Sequence, residues 1–283
     1  MVMRHQGTGI RAMLRIALLA LIVPTLIAAC GTTKPATEKT LVVGTNIGYP
    51  PFEQYASNGK TLVGVDVDIM NAIGAALHDH VRFVNASVDS LIPILAAGRY
   101  TAVISALSDT PSREKVVTFI DYFLAGGQVV VPAGNPKHVT GFSDLCGLTV
   151  GSGAGSSEYT QATQESTVCT KAGKPPITQQ TYANGVAAVL ALESGRINAA
   201  LLDSGPAAYS VKTSNGKLQL AGSPFDVGPY GIAVEKSNTA LVKAIERGLQ
   251  AIMSNGTYHK ILVKWGQTGG AVSHPTINDA SLS

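Results

Sequence analysis

Short apolar runs alternate with amphipathic segments from residue 40 onward. Residues 41–46 and 81–84 predict strands, and between them Ile69, Ile73 and Leu77 recur at helical spacing after Asp66. A second helix is predicted over residues 90–97 and ends at Gly98, before a strand over 100–104. This alternation is typical of an α/β fold with a mostly parallel sheet flanked by helices.

The second half of the chain repeats this plan. Residues 95–102 and 192–199 both read L-x-x-G-R-x-x-A, and each pattern marks a helix, a glycine cap and a strand. A strand is also predicted over 148–152. We therefore expect two lobes, residues 40–125 with 228–267 and residues 126–227, with a ligand cleft between the carboxyl ends of their strands.

The last part of the chain continues the alternation of strands and helices up to residue 265 and has no periodicity over residues 268–283. Residues 231–234 predict a strand, and residues 239–254 and 257–265 predict two amphipathic helices. Residues 268–283 contain glycine, serine and proline without periodicity, and we expect a flexible tail there.

The amino terminus has the features of an export signal. Arg4, Arg11 and Arg15 precede an uncharged apolar run over 16–29, which is short for a membrane span. The run ends in small residues before Cys30 and looks like a bacterial lipobox. We expect cleavage of residues 1–29, a lipid on Cys30 and a flexible tether over 30–39; the alternative is a signal with an incidental cysteine.

Removal of that signal changes the charge balance of the chain. It takes three of the 21 Lys and Arg residues and no acidic residue, leaving 18 basic and 18 acidic residues. No basic patch with interleaved aromatics remains, so we expect no nucleic-acid partner. Because the chain is exported, the two remaining cysteines, Cys146 and Cys169, are expected to form a disulfide. Neither lies at metal-ligand spacing, and no metal site is expected.

The candidate site centres on the turn over residues 105–113. Thr110 is expected to cap a helix that starts with Pro111, and the hydroxyls of Ser105 and Ser108 stand nearby. Arg113 lies in the first helical turn, where the helix dipole disfavours a cation, so an anion is expected beside it. The turn suits a small carboxylate; an ordinary capped turn with a solvated arginine is the alternative.

Two further segments offer candidate ligand contacts. The glycine-rich residues 151–158 open a helix with Ser156 or Ser157 as cap, and lack the lysine of a nucleotide-binding loop. Tyr49 and Phe52 follow the first strand, where they could form the floor of a pocket. For Phe52 the hydrophobic core is an equal alternative.

Taken together, the chain over about 40–265 resembles the extracytoplasmic solute-binding proteins of polar amino acid ABC transporters. The matching motifs are YPPFE at 49–53, GVDVD at 64–68, the turn at 105–113, GSS at 155–157 and NAALLD at 198–203. The resemblance implies two α/β lobes joined by two crossing strands that close on the ligand. It implies that Arg113 binds the α-carboxylate with Ser108 and the Ser156 turn, that Asp203 binds the α-ammonium, and that Tyr49 and Phe52 contact the ligand side chain.

The chain departs from the family pattern at several positions. Ala106 stands where a second serine is common, and Ser156 and Ser157 stand where threonines are common. Asn46 replaces an aspartate found in members for cationic amino acids, so we expect a neutral or weakly polar ligand. Glu53 and Glu158 could supply that charge, although a rim or helix-surface position is the ordinary interpretation for each.

The resemblance implies a lipid-anchored binding protein on the extracytoplasmic face of the cell membrane. It would capture a polar amino acid and deliver it to an ABC transporter permease, as a monomer, with no cofactor, no metal and no catalytic residue. The alternatives are a dehydratase-like enzyme, which would need a buried acid of raised pKa in the cleft, and a ligand sensor.

Overall fold

The structure is a computed structural model that describes residues 39–280. The predicted signal, the lipid site at Cys30 and nearly all of the tether lie outside the described residues. The strands are β1 (Thr40–Thr45), β2 (Gln54–Tyr55), β3 (Leu62–Val63), β4 (His80–Asn85), β5 (Ala102–Val103), β6 (Val117–Pro132), β7 (Thr149–Gly153), β8 (Thr178–Tyr182), β9 (Ala199–Asp203), β10 (Leu218–Glu235) and β11 (Ala271–Ile277). The α-helices are α1 (Val65–Leu77), α2 (Val88–Ala96), α3 (Pro111–Glu114), α4 (Ser157–Lys171), α5 (Gly185–Glu193), α6 (Ser204–Thr213), α7 (Thr239–Ser254) and α8 (Thr257–Trp265).

Nine strands form one mixed sheet in the order β4-β1-β5-β10-β6-β9-β7-β8, with β11 also paired to β6. On one side β4, β1 and β5 are parallel, and on the other β8, β7 and β9 are parallel. The long strands β6 and β10 run antiparallel between these two groups, and their register shifts between Ala221 and Gly228. We call the β1–β5 side the first lobe and the β7–β9 side the second lobe.

Helices cover both faces of the sheet in each lobe, as the predicted α/β class requires. In the first lobe, α1, α7 and α8 bury one apolar face of the sheet, and α2 buries the other. In the second lobe, successive residues of β6 point to opposite faces, so Val129 packs on the α4 side and Val130 on the α5 and α6 side. Among the described residues, no helix combines the length and the apolar character needed to cross a membrane.

The carboxyl-terminal segment is not the loose tail that the sequence predicts. Residues 271–277 form β11, which lies antiparallel to β6. Asp121 of β6 accepts hydrogen bonds from the Thr276 hydroxyl at 3.1 Å and the Asp279 N–H at 3.2 Å. The Phe119 N–H donates to Asn278 Oδ1 at 2.7 Å. These tertiary bonds order a segment whose own sequence has no strand periodicity.

The structure pairs Cys146 with Cys169, as predicted, with their Cα atoms 5.6 Å apart. Cys169 is buried on α4, and the bond joins that helix to the segment before β7. The bond closes a loop across a sequence separation of 23 residues. On the chain-entropy model, this restriction of the unfolded chain raises the free energy of unfolding by roughly 3 kcal/mol.

Reduction of this disulfide is therefore expected to lower the free energy of unfolding by about 3 kcal/mol. Thermal unfolding with and without reductant measures the loss, and a Cys146→Ser variant, which has no disulfide to reduce, is the control. An unchanged melting temperature on reduction, or two free thiols by intact mass in the oxidised protein, would contradict the prediction.

Candidate functional site

A cavity that is open in part to solvent lies where strands of both lobes end. Asn46 follows β1, Ser105 follows β5, Ser156 follows β7 and Asp203 ends β9. Nine of the ten predicted side chains line the cavity: Asn46, Tyr49, Glu53, Ser105, Ser108, Arg113, Ser156, Ser157 and Asp203. The structure thus brings them together, while their roles toward a ligand remain predictions.

Phe52 does not line this cavity. Its ring is fully buried and makes edge contacts with Phe123 and Tyr230, with ring centroids 5.4 Å and 5.5 Å apart. Aromatic rings favour such edge-to-face packing in a core. The prediction that Phe52 contacts the ligand is therefore wrong, and Tyr49 alone of the two reaches the cavity.

Arg113 connects the two lobes. Thr110 caps α3 as predicted, accepting a hydrogen bond from the Arg113 N–H at 3.3 Å. The guanidinium then donates to the Ser108 carbonyl at 2.7 Å and, across the cleft, to the Gly155 carbonyl at 3.0 Å. A guanidinium has five N–H donors, so three remain for an anion. Burial lowers the pKa of Arg113, and the nearby Glu158 and Asp203 charges oppose that shift.

Ser156 caps α4 on the other side of the cleft, accepting from the Tyr159 N–H at 3.2 Å. The Ser108 and Ser157 hydroxyls lie 3.2 Å apart across the lobes. The Ser108, Ser156 and Ser157 side chains therefore line the same cavity as the Arg113 side chain, as a small carboxylate would require.

Asp203 of the second lobe is buried beside Tyr49 and Glu158. Its Oδ2 accepts a hydrogen bond from the Tyr49 hydroxyl at 2.6 Å, and the Glu158 carboxyl lines the same cavity. Burial, followed by the charge of Glu158, raises the pKa of Asp203 well above its usual range. A bound ammonium group would relieve this repulsion, because it supplies the positive charge that the carboxyl pair lacks.

Glu158 was expected on a helix surface, and that expectation is wrong. It is 3% exposed and lines the cavity from the first turn of α4. The reason is the cross-cleft contact of the α4 start with Arg113 and Ser108, which covers the face that a lone helix would expose to solvent.

Glu53 was expected at the rim, and the structure buries it completely. The Gly48 and Tyr49 N–H groups both donate to the Glu53 carbonyl, which folds the YPPFE turn back on itself. Glu53 Oε1 accepts from the Ser105 hydroxyl at 2.8 Å, and Ser105 accepts from the Asn46 N–H at 2.9 Å. Burial, and then the charge of Asp66, raise the pKa of Glu53 well above its usual range.

Asp66 lies behind Glu53 and is a residue whose role the sequence did not reveal. It is fully buried at the start of α1 and accepts hydrogen bonds from the Tyr122 hydroxyl and the Ala106 N–H, both at 2.6 Å. Burial raises its pKa to about 7. Its position between Val65 and Val67 was the available signal, because a carboxylate inside an apolar helix start is rarely solvated.

Within the described residues, the only group of three side chains at metal-ligand distances is Cys146, Glu165 and Cys169. Both of its sulfur atoms belong to the disulfide, so it does not offer thiolate ligands. The cavity itself presents carboxyls, hydroxyls and one guanidinium, a set suited to a small zwitterion.

Comparison with known proteins assigns the chain that forms this cavity to a family. Residues 41–268 match the family model of bacterial extracellular solute-binding proteins, family 3. The chain is similar to the ABC transporter arginine-binding protein 1 of Escherichia coli K12, with 31% identity over 87% of this chain and 98% of that protein.

Solved structures agree with this relationship. One similar structure is an ancestral arginine-binding protein bound to arginine, with 36% identity, a TM-score of 0.73, and coverage of 80% of this chain and 97% of that one. Another is the ancestral amino acid-binding protein AncCDT-1, described as a precursor of cyclohexadienyl dehydratase, with 30% identity, a TM-score of 0.72, and coverage of 80% and 95%. The chain therefore belongs to the bacterial extracellular solute-binding proteins, family 3.

Proposed function

We propose that this protein captures a polar amino acid in the cavity between its lobes and delivers it to the permease of an ABC transporter. The observation that carries the proposal is the pairing of Arg113 from the first lobe with Asp203 from the second at one cavity. An α-amino acid carries a carboxylate and an ammonium on the same carbon, so it can satisfy both groups only when the lobes are close together.

The cross-cleft hydrogen bonds support a closing motion. Arg113 to Gly155, Tyr49 to Asp203 and Ser108 to Ser157 all join one lobe to the other beside the cavity. A ligand that adds bonds to these same groups would favour the closed arrangement over an open one.

We further propose that a lipid on Cys30 holds the protein at the extracytoplasmic face of the membrane. The support is the arginine-rich start, the uncharged run over 16–29 and the small residues before Cys30. Residues 30–39 would then be the tether. Residues 40–125 with 228–267 would form the first lobe and residues 126–227 the second, and the protein would act as a monomer.

A dehydratase-like enzyme is the second candidate, since Glu53 is a buried acid of raised pKa in the cleft. Incubation of the pure protein with an amino acid mixture, followed by desalting, denaturation and mass spectrometry of the released ligand, separates the two. We expect a single amino acid, or a few chemically related amino acids, recovered unchanged at about one molecule per protein molecule. A dehydrated or decarboxylated product would indicate the enzyme, and recovery of neither an amino acid nor such a product would contradict both.

A further inference from the structure

The backbone of the second lobe approaches the first lobe closely at Gly155. This residue lies in the turn between β7 and α4, has a φ of +74° and does not line the cavity. A Cβ atom on Gly155 would lie 2.8 Å from the Cβ and 2.9 Å from the Cα of Asp89, in the first turn of α2. Carbon atoms in contact are normally about 3.5–4.0 Å apart. Only glycine therefore fits at this contact.

Neither side of the contact yields easily. The turn of the second lobe is held by a hydrogen bond from the Ala154 N–H to the Tyr182 carbonyl at 2.8 Å. On the first lobe, α2 is anchored by Leu91 and Leu95, which are fully buried. The opposing atoms of Asp89 are its N, Cα and Cβ, and a change of side-chain rotamer moves none of them. A side chain at Gly155 would therefore have to push the lobes themselves.

Another glycine of the second lobe, Gly205 near the start of α6, also lies against the first lobe. A Cβ atom there would meet Gln267 Oε1 at 2.6 Å and the Phe52 ring at 3.0 Å. Gln267 Oε1 is the far end of a flexible side chain and can rotate away. Gly155 faces main-chain atoms instead, so it is the stricter of the two contacts.

The cross-cleft hydrogen bonds beside the cavity depend on this close approach. Relief of the contact between a side chain at Gly155 and Asp89 requires a separation of about 1 Å. The Arg113 guanidinium donates to the Gly155 carbonyl at 3.0 Å, and the Ser108 and Ser157 hydroxyls lie 3.2 Å apart. The same separation takes both pairs beyond hydrogen-bond distance.

We infer that Gly155 is a positioning residue for cleft closure, because its missing side chain lets Arg113 and Ser157 of opposite lobes act together on a ligand. The inference rests on the proposed closing of the lobes around an amino acid. Gly155 acts through the spacing of the lobes and not through contact with the ligand. A side chain at this position should therefore favour the open arrangement and weaken the binding of every amino acid.

Gly155→Ala is the test variant, and Gly173→Ala is its matched control. The two glycines stand on either side of α4 with φ values of +74° and +71°, so alanine brings a similar backbone strain to both positions. A Cβ atom on Gly173 would meet no atom of the described residues within 4 Å. The melting temperatures of the two empty variants should fall by similar amounts, and only Gly155→Ala should impair closure.

Disulfide cross-linking measures closure without any ligand. In a Ser108→Cys/Ser157→Cys variant the new thiols should meet only when the lobes are closed, because the two native hydroxyls lie 3.2 Å apart across the cleft. Bound amino acids are first removed by unfolding in urea and refolding. The loss of the two thiols under a mild oxidant, followed by alkylation and intact mass, then reports how often the lobes close.

Adding Gly155→Ala to the cysteine variant should lower the rate of cross-linking by roughly tenfold, which is the weight of one or two ordinary hydrogen bonds. Adding Gly173→Ala should leave the rate unchanged. An equal rate with and without Gly155→Ala would overturn the inference. Absence of any cross-link in the cysteine variant alone would also overturn it, because the closing motion itself would be contradicted.

Calorimetric titration with arginine and with glutamine gives a second measurement. Gly155→Ala should weaken the binding of both by the same factor, roughly tenfold to hundredfold, because the closed arrangement loses cross-cleft hydrogen bonds. The ratio of the two affinities should keep its parental value. A changed ratio would overturn the inference, since it would place residue 155 against the ligand side chain. Failure of every common amino acid to bind the parent would contradict the proposed function instead, while the cross-linking rates would still decide the role of Gly155.

Discussion

Replacing Arg113 with alanine is expected to weaken amino acid binding by about thirty-fold to several-thousand-fold, which corresponds to roughly 2–5 kcal/mol. The loss arises because the ligand carboxylate would be buried in the cleft without a charged partner. The fold should survive, since the Arg113 guanidinium donates to the Ser108 and Gly155 carbonyls at the cavity and Arg113 does not belong to the apolar core of the described residues.

Dissociation constants and melting temperatures of the Arg113→Ala variant beside the parent test this prediction. Arg99→Ala, at an exposed position after α2, is the matched control and should bind as the parent does. Tight binding retained by Arg113→Ala would remove this residue from the site. A melting temperature lowered by several degrees with affinity unchanged would assign Arg113 a structural role at the start of α3.

Replacing Asp203 with alanine is expected to lose binding on the same scale, about 2–5 kcal/mol, because the ligand ammonium would lose its carboxylate. The empty protein should respond differently. Asp203 and Glu158 repel one another, and that charge together with burial raises the Asp203 pKa. Removing one of the two carboxyls relieves this repulsion, so the melting temperature of the empty protein should stay level or rise.

The shape-preserving Asp203→Asn variant refines this test, since it keeps an oxygen that can accept the Tyr49 hydrogen bond. It should lose affinity nearly as strongly as alanine does, because the charge is what the ammonium requires. Asp144→Asn, an exposed carboxylate of the same lobe, is the control. Parental affinity in Asp203→Asn would show that Asp203 is not the ammonium partner.

The elements that the sequence predicts best have their own local signals. The bounds of α7 and α8 agree with their predicted ranges because each helix has a clear apolar face and is flanked by Asn238, Gly256 or Gly266. In contrast, β11 forms through bonds to Asp121 and Phe119 that are distant in sequence. Only residues 231–234 of the 18-residue β10 were predicted, since its remainder pairs with β6 across a register shift.

The residues of the candidate site also divide into those that a local sequence signal predicts and those that depend on contacts distant in sequence. Residues at the carboxyl ends of strands, such as Ser105 and Asp203, were predictable because parallel strands gather their ends at one edge. The orientation of Phe52 and Glu53 was not, because both lie in a turn that the Gly48 and Tyr49 N–H groups fold back onto the Glu53 carbonyl, and the resulting burial of both side chains has no periodic signal in the sequence. Glu158 is buried only because the opposite lobe covers it.

Thermal unfolding of the parent and of an Arg113→Ala/Asp203→Ala double variant, each with the common amino acids in turn, tests most directly whether the cleft closes on an amino acid between these two residues. For the parent we expect at least one amino acid to raise the unfolding free energy by about 2.7 kcal/mol at a hundredfold excess over its dissociation constant. The double variant should show no shift at the same concentration. A parent that responds to no amino acid, or a double variant that responds as strongly as the parent, would contradict amino acid capture by this pair.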